Sequence, residues 1–235
     1  MTPRARSDPN TAKFEKGAMT DTEFDPAAMT LRDRYKLLCA IVVPRPIALV
    51  TSCDAAGRVN AAPFSFFNLF SEDPPQVVLG LQHQADGQPK DTTRNLAQAR
   101  EFVVNMVDEG LAPVMNDTAI DFPPEVGEVA ALGIATSPGV KVAVPRITAA
   151  PFALECRKTV SLAFSATREM LIGEIVHVHA RAGLVDPATF YVDSARYRPI
   201  GRLFGAQYCR QGEVFELRRE AYADWARRTG KSSTR

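Results

Sequence analysis

Pro44-Arg45-Pro46-Ile47-Ala48-Leu49-Val50-Thr51-Ser52, followed after a turn by Asn60-Ala61-Ala62-Pro63-Phe64-Ser65-Phe66-Phe67-Asn68, is the stretch that decides how this 235-residue chain folds. Ile47, Leu49 and the carbon skeleton of Thr51 recur at every second position. Asp54-Ala55-Ala56-Gly57 carries turn chemistry and Val59 restarts the extended pattern, so the segment reads as two strands joined by a short turn. The second strand ends in a polar and aromatic lip. Small residues at Ala61, Ala62 and Ser65 leave main-chain N–H and C=O groups open to a flat ligand, while Phe64, Phe66 and Phe67 offer apolar walls. A planar heteroaromatic cofactor matches such a lip.

Outward from this hairpin, Leu31, Tyr35 and Leu38 follow Thr30 at helical spacing, and Pro44 and Pro46 disfavour continuation past Val43, which predicts a helix with Thr30 as its N-cap. Residues 1–28 are polar and rich in turn formers and read as a loosely ordered N-terminal arm. Downstream, Gln76 to Leu81 reads as a buried strand and Lys90-Asp91-Thr92-Thr93 as a helix start capped by Asp91 or Thr92. Glu101 to Val107 reads as another strand. The stretch from Leu111 to Arg146 is an excursion from the sheet, read as a cover or a subunit contact. Phe152 to Phe164 and Glu169 to Leu184 form a long hairpin about Ser165-Ala166-Thr167-Arg168. Residues 218–235 carry six basic side chains against Glu220 and Asp224, and read as a basic helix and tail anchored by Tyr222 and Trp225. Short strands with tight connections predict a mainly β fold, an antiparallel barrel with peripheral helices.

Composition narrows the function. Lys and Arg number 28 against 27 Asp and Glu, a formal net charge of +1, so no global field favours nucleic acid or an anionic membrane. No apolar run reaches the length of a transmembrane helix, and a cytoplasmic protein is expected. Cys39, Cys53, Cys156 and Cys209 are widely separated, which fits reduced, packed thiols rather than a metal knuckle. Neither a G-x-G-x-x-G nor a G-x-x-x-x-G-K motif occurs, and no G-x-S-x-G elbow marks a hydrolase.

Three groups of residues bear on chemistry. Lys90-Asp91-Thr92 at a helix start combines free N–H groups, the positive end of the helix dipole and an ammonium, a small cradle for a phosphate. Its alternative reading is an ordinary cap with a solvated lysine. Paired with the aromatic lip, the cradle describes FMN: one element holds a phosphate, the other a flat ring. His177 and His179 share a strand face; two ligands do not make a metal site, no metal is expected, and His177 is a candidate for tuning a flavin from beside its ring. Arg45, fixed between prolines, and Arg202 are candidates for a phosphate or a nicotinamide cofactor, or are ordinary surface arginines.

PRPIALVTSCDAAGRVNAAPFSFFNLFSEDPPQVVLGL, followed by KDTTRNLAQAREFVVNMV, resembles the flavin reductase-like, FMN-binding split-barrel family, which includes flavoredoxin-type proteins and reductase components of monooxygenases. MNDTAIDFPPEVGE, PFALECRK and GEIVHVHA resemble later blocks of the same family, so the likeness runs from about Tyr35 to Leu217, within a domain over 29–217. The resemblance implies a six-stranded Greek-key split barrel, a homodimer, and FMN in a groove at or near the subunit interface. Carried over by residue, it sets Thr51 and Ser52 at the ribityl or phosphate region and Ala62, Pro63, Phe64, Ser65, Phe66 and Phe67 along the isoalloxazine. Lys90, Asp91 and Thr92 fall at the phosphate end. The implied activity is an NAD(P)H-dependent oxidoreductase of flavin reductase type, with NADH or NADPH as donor and free flavin, oxygen or a partner such as a monooxygenase as acceptor. The alternative is a non-catalytic FMN-binding or electron-carrier protein; a metal-dependent hydrolase using His177 and His179 ranks last.

Overall fold

The computed structural model describes residues 21–84, 86–123 and 125–230. Most of the segment read as an N-terminal arm, and the last five residues of the basic tail, lie outside that range. The chain divides into two compact units, Met1–Leu38 and Cys39–Arg235. In the first, a turn at Asp25 leads to Thr30, which caps helix α1 (Leu31–Ile41): its Oγ1 accepts from the Asp33 N–H at 3.1 Å and donates to the Asp33 carboxylate at 2.7 Å. The first of these bonds satisfies one of the N–H donors that the first helical turn leaves open.

In the second unit β1 (Ala48–Cys53) and β2 (Val59–Phe64) form the expected hairpin, with Val50 opposite Ala62 and Thr51 opposite Ala61. The Asp54 carboxylate closes the turn by accepting from the N–H groups of Ala56 and Arg58, each at 2.9 Å. There follow β3 (Phe67–Glu72), β4 (Pro75–Gln82), α2 (Asp91–Gln98), β5 (Glu101–Met106), α3 (Ala112–Asp117), α4 (Glu128–Ala131), β6 (Thr136–Ser137) and β7 (Arg146–Ile147). The long hairpin β8 (Phe152–Ser165) and β9 (Arg168–Ala180), a small ribbon of β10 (Ile200–Arg202) and β11 (Tyr208–Arg210), and α5 (Tyr222–Thr229) follow among the described residues.

The main sheet is antiparallel in the order β2-β1-β5-β8-β9-β4-β3. Its first and last members are only two residues apart in sequence, so the chain itself joins the ends of the sheet and makes it a barrel. Seven strands stand where six are implied because the step at Ser65-Phe66 divides one bent strand into β2 and β3; the Gly80 N–H still donates to the Phe66 carbonyl across it, at 2.7 Å.

Apolar residues fill both sides of the barrel wall. Ala48, Val50, Val77, Leu79, Leu81, Phe102 and Leu171 pack on the inside with Leu96 of α2. Leu49 and Ala61 face the other way, onto Leu111 and Met115 near α3 and Val129 of α4. The strap 139–147 lays Val142 and Val144 over Val103 and Ala153. β1 is buried on both faces for this reason, although half-buried alternation is all its sequence suggests. The excursion is thus a cover over β1, β5 and β8. Gly173 admits the Phe102 ring: a Cβ there would stand 2.4 Å from the ring tip.

Candidate functional site

The site begins at the open edge of β2. Leu49 pairs with Pro63, which has no N–H to give, and the alternation of an antiparallel ladder then turns the main-chain groups of Ala61, Pro63 and Ser65 away from β1. The Ala61 N–H accordingly finds Glu128 Oε2 at 3.2 Å. The aromatic lip divides its labour. Phe67 is buried in the inner core and Phe64 packs against it, whereas Phe66 stays 48% exposed at the corner, seated on Gly80, where a Cβ would come within 2.8 Å of its own.

Helix α2 lies against the same hairpin. Asn95 Nδ2 donates to Ser52 Oγ at 3.1 Å, and the Asn60 amide meets Thr92 Oγ1 at 3.0 Å. With the Asn60 nitrogen turned toward Glu128, 3.2 Å from each carboxylate oxygen, its oxygen accepts from the Thr92 hydroxyl and every polar atom of the trio is matched. Burial pushes the Glu128 carboxyl above its ordinary value. The expected cap is absent: Lys90 occupies the N-cap position without a side-chain bond to the first turn, Asp91 pairs with Arg94 instead, and Thr92 is turned inward. The reason is tertiary, since burying Thr92 against Asn60 removes the cap it offers in an isolated helix. Among the described residues no side chain caps the first-turn N–H groups, and the half-exposed Lys90 ammonium lies 3.9 Å from the exposed Asp121. Beside them Asp54, Arg58, Asn60, Asp91, Arg94, Asn95 and the 126–128 turn enclose a polar cleft of about 150 Å³.

The family model described as "Flavin reductase like domain" matches residues 41–201. The chain belongs to that family. It is similar to the 2-nitrobenzoate 2-nitroreductase of Pseudomonas fluorescens, at 39% identity over 86% of this chain and 98% of that one, with a TM-score of 0.79. It is also similar to component B of the nitrilotriacetate monooxygenase of Bacillus cereus, at 32% identity over 85% of this chain and all of the other, with a TM-score of 0.81. A split-barrel-domain protein of Shewanella frigidimarina shares the fold, with a TM-score of 0.72 at 15% identity over 85% of this chain and 100% of that one.

Within this flavin reductase-like barrel the residues singled out from sequence do not all converge. Ser52, Lys90, Asp91 and Thr92 are brought together where α2 meets the β1–β2 hairpin; Ala62 stands two residues beyond Asn60 on β2, and Phe66 past the end of that strand, about 20 Å along the chain from Asn60 at 3.3 Å per residue. Thr51 is fully buried on the opposite face, its hydroxyl donating to the Pro145 carbonyl at 2.7 Å. Arg45 is buried too. Its guanidinium donates to the carbonyls of Cys39 at 2.6 Å, Val42 at 2.9 Å and Leu203 at 2.9 Å, and to Ser65 Oγ at 3.4 Å, so it braces the lip from behind. Arg202 is held by Tyr208 and the Gly205 carbonyl, with its guanidinium 4.5 Å from the centre of the Tyr208 ring.

His177 and His179 share a face as expected, in edge contact at 4.7 Å between ring centres, with His179 Nε2 2.6 Å from the buried Glu155. His83 lies elsewhere, beside Glu169 at 3.5 Å. Pairings Thr51–Val103, Val103–Glu155 and Glu155–His177 set His177 three strands from β1, about 14 Å along the sheet. Sequence reading missed Asn60, Asn95, Arg58, Arg94 and Glu128. Asn95, one turn after Asp91 on the buried face of α2, had a periodicity signal; Glu128 had none, being set by an irregular excursion.

Proposed function

We propose that this chain is an FMN-dependent oxidoreductase of the flavin reductase type that takes hydride from NADH or NADPH and delivers electrons to free flavin, oxygen or a partner protein. Bound FMN would supply both hydride acceptance and onward electron transfer. The chain supplies binding and orientation. Lys90 and the uncapped N–H groups of α2 provide positive charge for the phosphate, with Arg58 and Arg94 flanking them. Asn60 and Asn95 fix the helix start to the hairpin, Ser52 and Thr92 being their partners. The outward main-chain carbonyl of Pro63 and main-chain groups of Ser65 suit the pyrimidine edge of the ring, with the Phe66 side chain as the apolar wall. The observation that carries this reading is the direct tie between the lip-bearing strand β2 and the start of α2.

The same proposal includes a homodimer with FMN near its interface. Val160, Leu162 and Phe164 on β8 are 47%, 48% and 66% exposed. Through the pairs Leu162–Met170 and Met170–Gly80 this apolar face runs on to the corner where Phe66 sits. A second copy on this face would bring its own surface to the lip. Similarity to a monooxygenase component B supports an oxygenase as one electron-accepting partner. No helix of the described residues is long and apolar enough to cross a membrane, and with four free thiols we assign the chain to the cytoplasm.

Purified protein is expected to bind one FMN per chain and to bleach rapidly when mixed with NADH or NADPH. Bleaching by dithionite alone would instead identify an electron carrier. Lys90→Glu is expected to weaken FMN by about tenfold or more through charge reversal at the phosphate, read by flavin fluorescence titration; unchanged affinity would remove the cradle from the account.

A further inference from the structure

A second cavity, of about 450 Å³, opens between the strap and the C-terminal end of β9. Arg146, Thr148, Ala153, Val178, His179 and Arg181 are among its lining residues, and none of its lining is shared with the cleft at α2. Its volume falls in the range of small-molecule sites, about 300–1,000 Å³.

Its charges are set before any ligand arrives. Arg181 is fixed by Asp108 Oδ2 at 3.1 Å from Nη1 and by the Ala149 carbonyl, which accepts from Nη2 at 2.6 Å. His179 is fixed by Glu155. That carboxylate cannot also serve Arg146, because it already accepts from the N–H groups of Val140, Lys141 and Val142 at 2.7, 2.6 and 3.0 Å. Arg146 lines the cavity, and its buried Nε has no hydrogen-bond partner among the described residues. A guanidinium is always charged and only donates, so a buried N–H of this kind calls for an acceptor that those residues do not provide.

The remaining wall is apolar: Ala150, Ala153, Val178, Ala180 and Ala182. An inorganic anion would answer the guanidinium but leave that wall uncovered. A carboxylate on a small apolar body answers both, since its planar pair of oxygens matches the guanidinium fork.

We infer that this cavity is a binding site for a small organic carboxylate, with Arg146 as its anchor, Arg181 as the second positive group and the alanine and valine wall covering the apolar body. It is separate from the residues assigned to flavin and stands or falls independently of them.

Benzoate is a suitable probe, with inorganic phosphate as the contrasting arm, each titrated calorimetrically into the full chain saturated with FMN, so that phosphate cannot report on the cradle at α2. Wild type is expected to bind one benzoate per chain and phosphate more weakly. Arg146→Gln is expected to weaken benzoate by about tenfold or more, the loss of one charge-assisted hydrogen bond. Ala182→Phe, which adds bulk at the apolar wall and keeps both arginines in the chain, is expected to do the same and covers the case in which Arg146→Gln fails to fold. FMN affinity should be unchanged in both variants. Absence of benzoate binding to wild type, equal binding in Ala182→Phe, or phosphate binding as tight as benzoate would each overturn the assignment.

Discussion

Arg45 carries a permanent charge into the protein interior and keeps three main-chain carbonyls and Ser65 as acceptors. Replacing it with Met removes the donors and leaves those carbonyls buried. Arg45→Met is therefore expected to cost about 3 kcal/mol, measured as a drop in the urea midpoint at unchanged slope. Nothing local in Pro44-Arg45-Pro46 announces this role, because one of the acceptors, Leu203, lies 158 residues away. Gly80 is the converse case, a residue defined by what it lacks. The 2.8 Å separation between its missing Cβ and that of Phe66 means that Gly80→Ala must displace the lip. FMN affinity is expected to fall several-fold and stability by about 1–2 kcal/mol, read by fluorescence titration and thermal melting. If the melting point falls while FMN affinity holds, Phe66 is a packing residue and not a wall of the site.

At the scale of elements, the strap is held down largely by one carboxylate. Burial alone would raise the Glu155 carboxyl, but hydrogen bonds from His179 and from three consecutive N–H groups outweigh it and bring it from 4.5 down to about 2. A group depressed in the folded state stabilises it above the unfolded value and stops doing so as pH falls through the folded one. The protection factors of the Val140, Lys141 and Val142 amides, taken against the intrinsic exchange rate at each pH, are thus expected to fall selectively between about pH 4.5 and pH 2, ahead of those of the barrel strands. Protection lost equally in β5 and the strap would contradict a local anchor. The strap had no periodic signal, since its backbone is met largely by side chains of other strands: Thr51 on β1, Glu101 and Asn105 on β5, and Glu155 and Arg157 on β8, with Asn105 Oδ1 accepting from Ile147 N at 2.8 Å. By contrast α1, the β1–β2 hairpin and the β8–β9 hairpin were legible because their spacing, caps and turns are local.

For the whole molecule, the apolar face of β8 makes the strongest demand. Leu162 is expected to be covered by a second copy, so Leu162→Glu should convert a dimer to a monomer in light scattering after gel filtration. Loss of FMN retention together with the dimer would set the flavin at the interface; a dimer unaffected by the charge would place the interface elsewhere. The chain's near-neutral balance fits association through such a face rather than through opposed fields.

By itself the sequence determined the two long hairpins, the strands β4 and β5, the family and the run of residues read as a lip, because alternation, turn residues and short motifs act over a few residues; β3 and the short β6–β7 and β10–β11 pairs were not read from it. Only the tertiary structure decided which of those side chains face a ligand. Barrel closure put Phe67 in the core with Phe64 packed against it and left Phe66 outside; burial turned Thr92 from cap to core partner and Arg45 from surface cation to brace. A side chain's neighbours across strands depend on register and closure, and those are set by the whole chain at once.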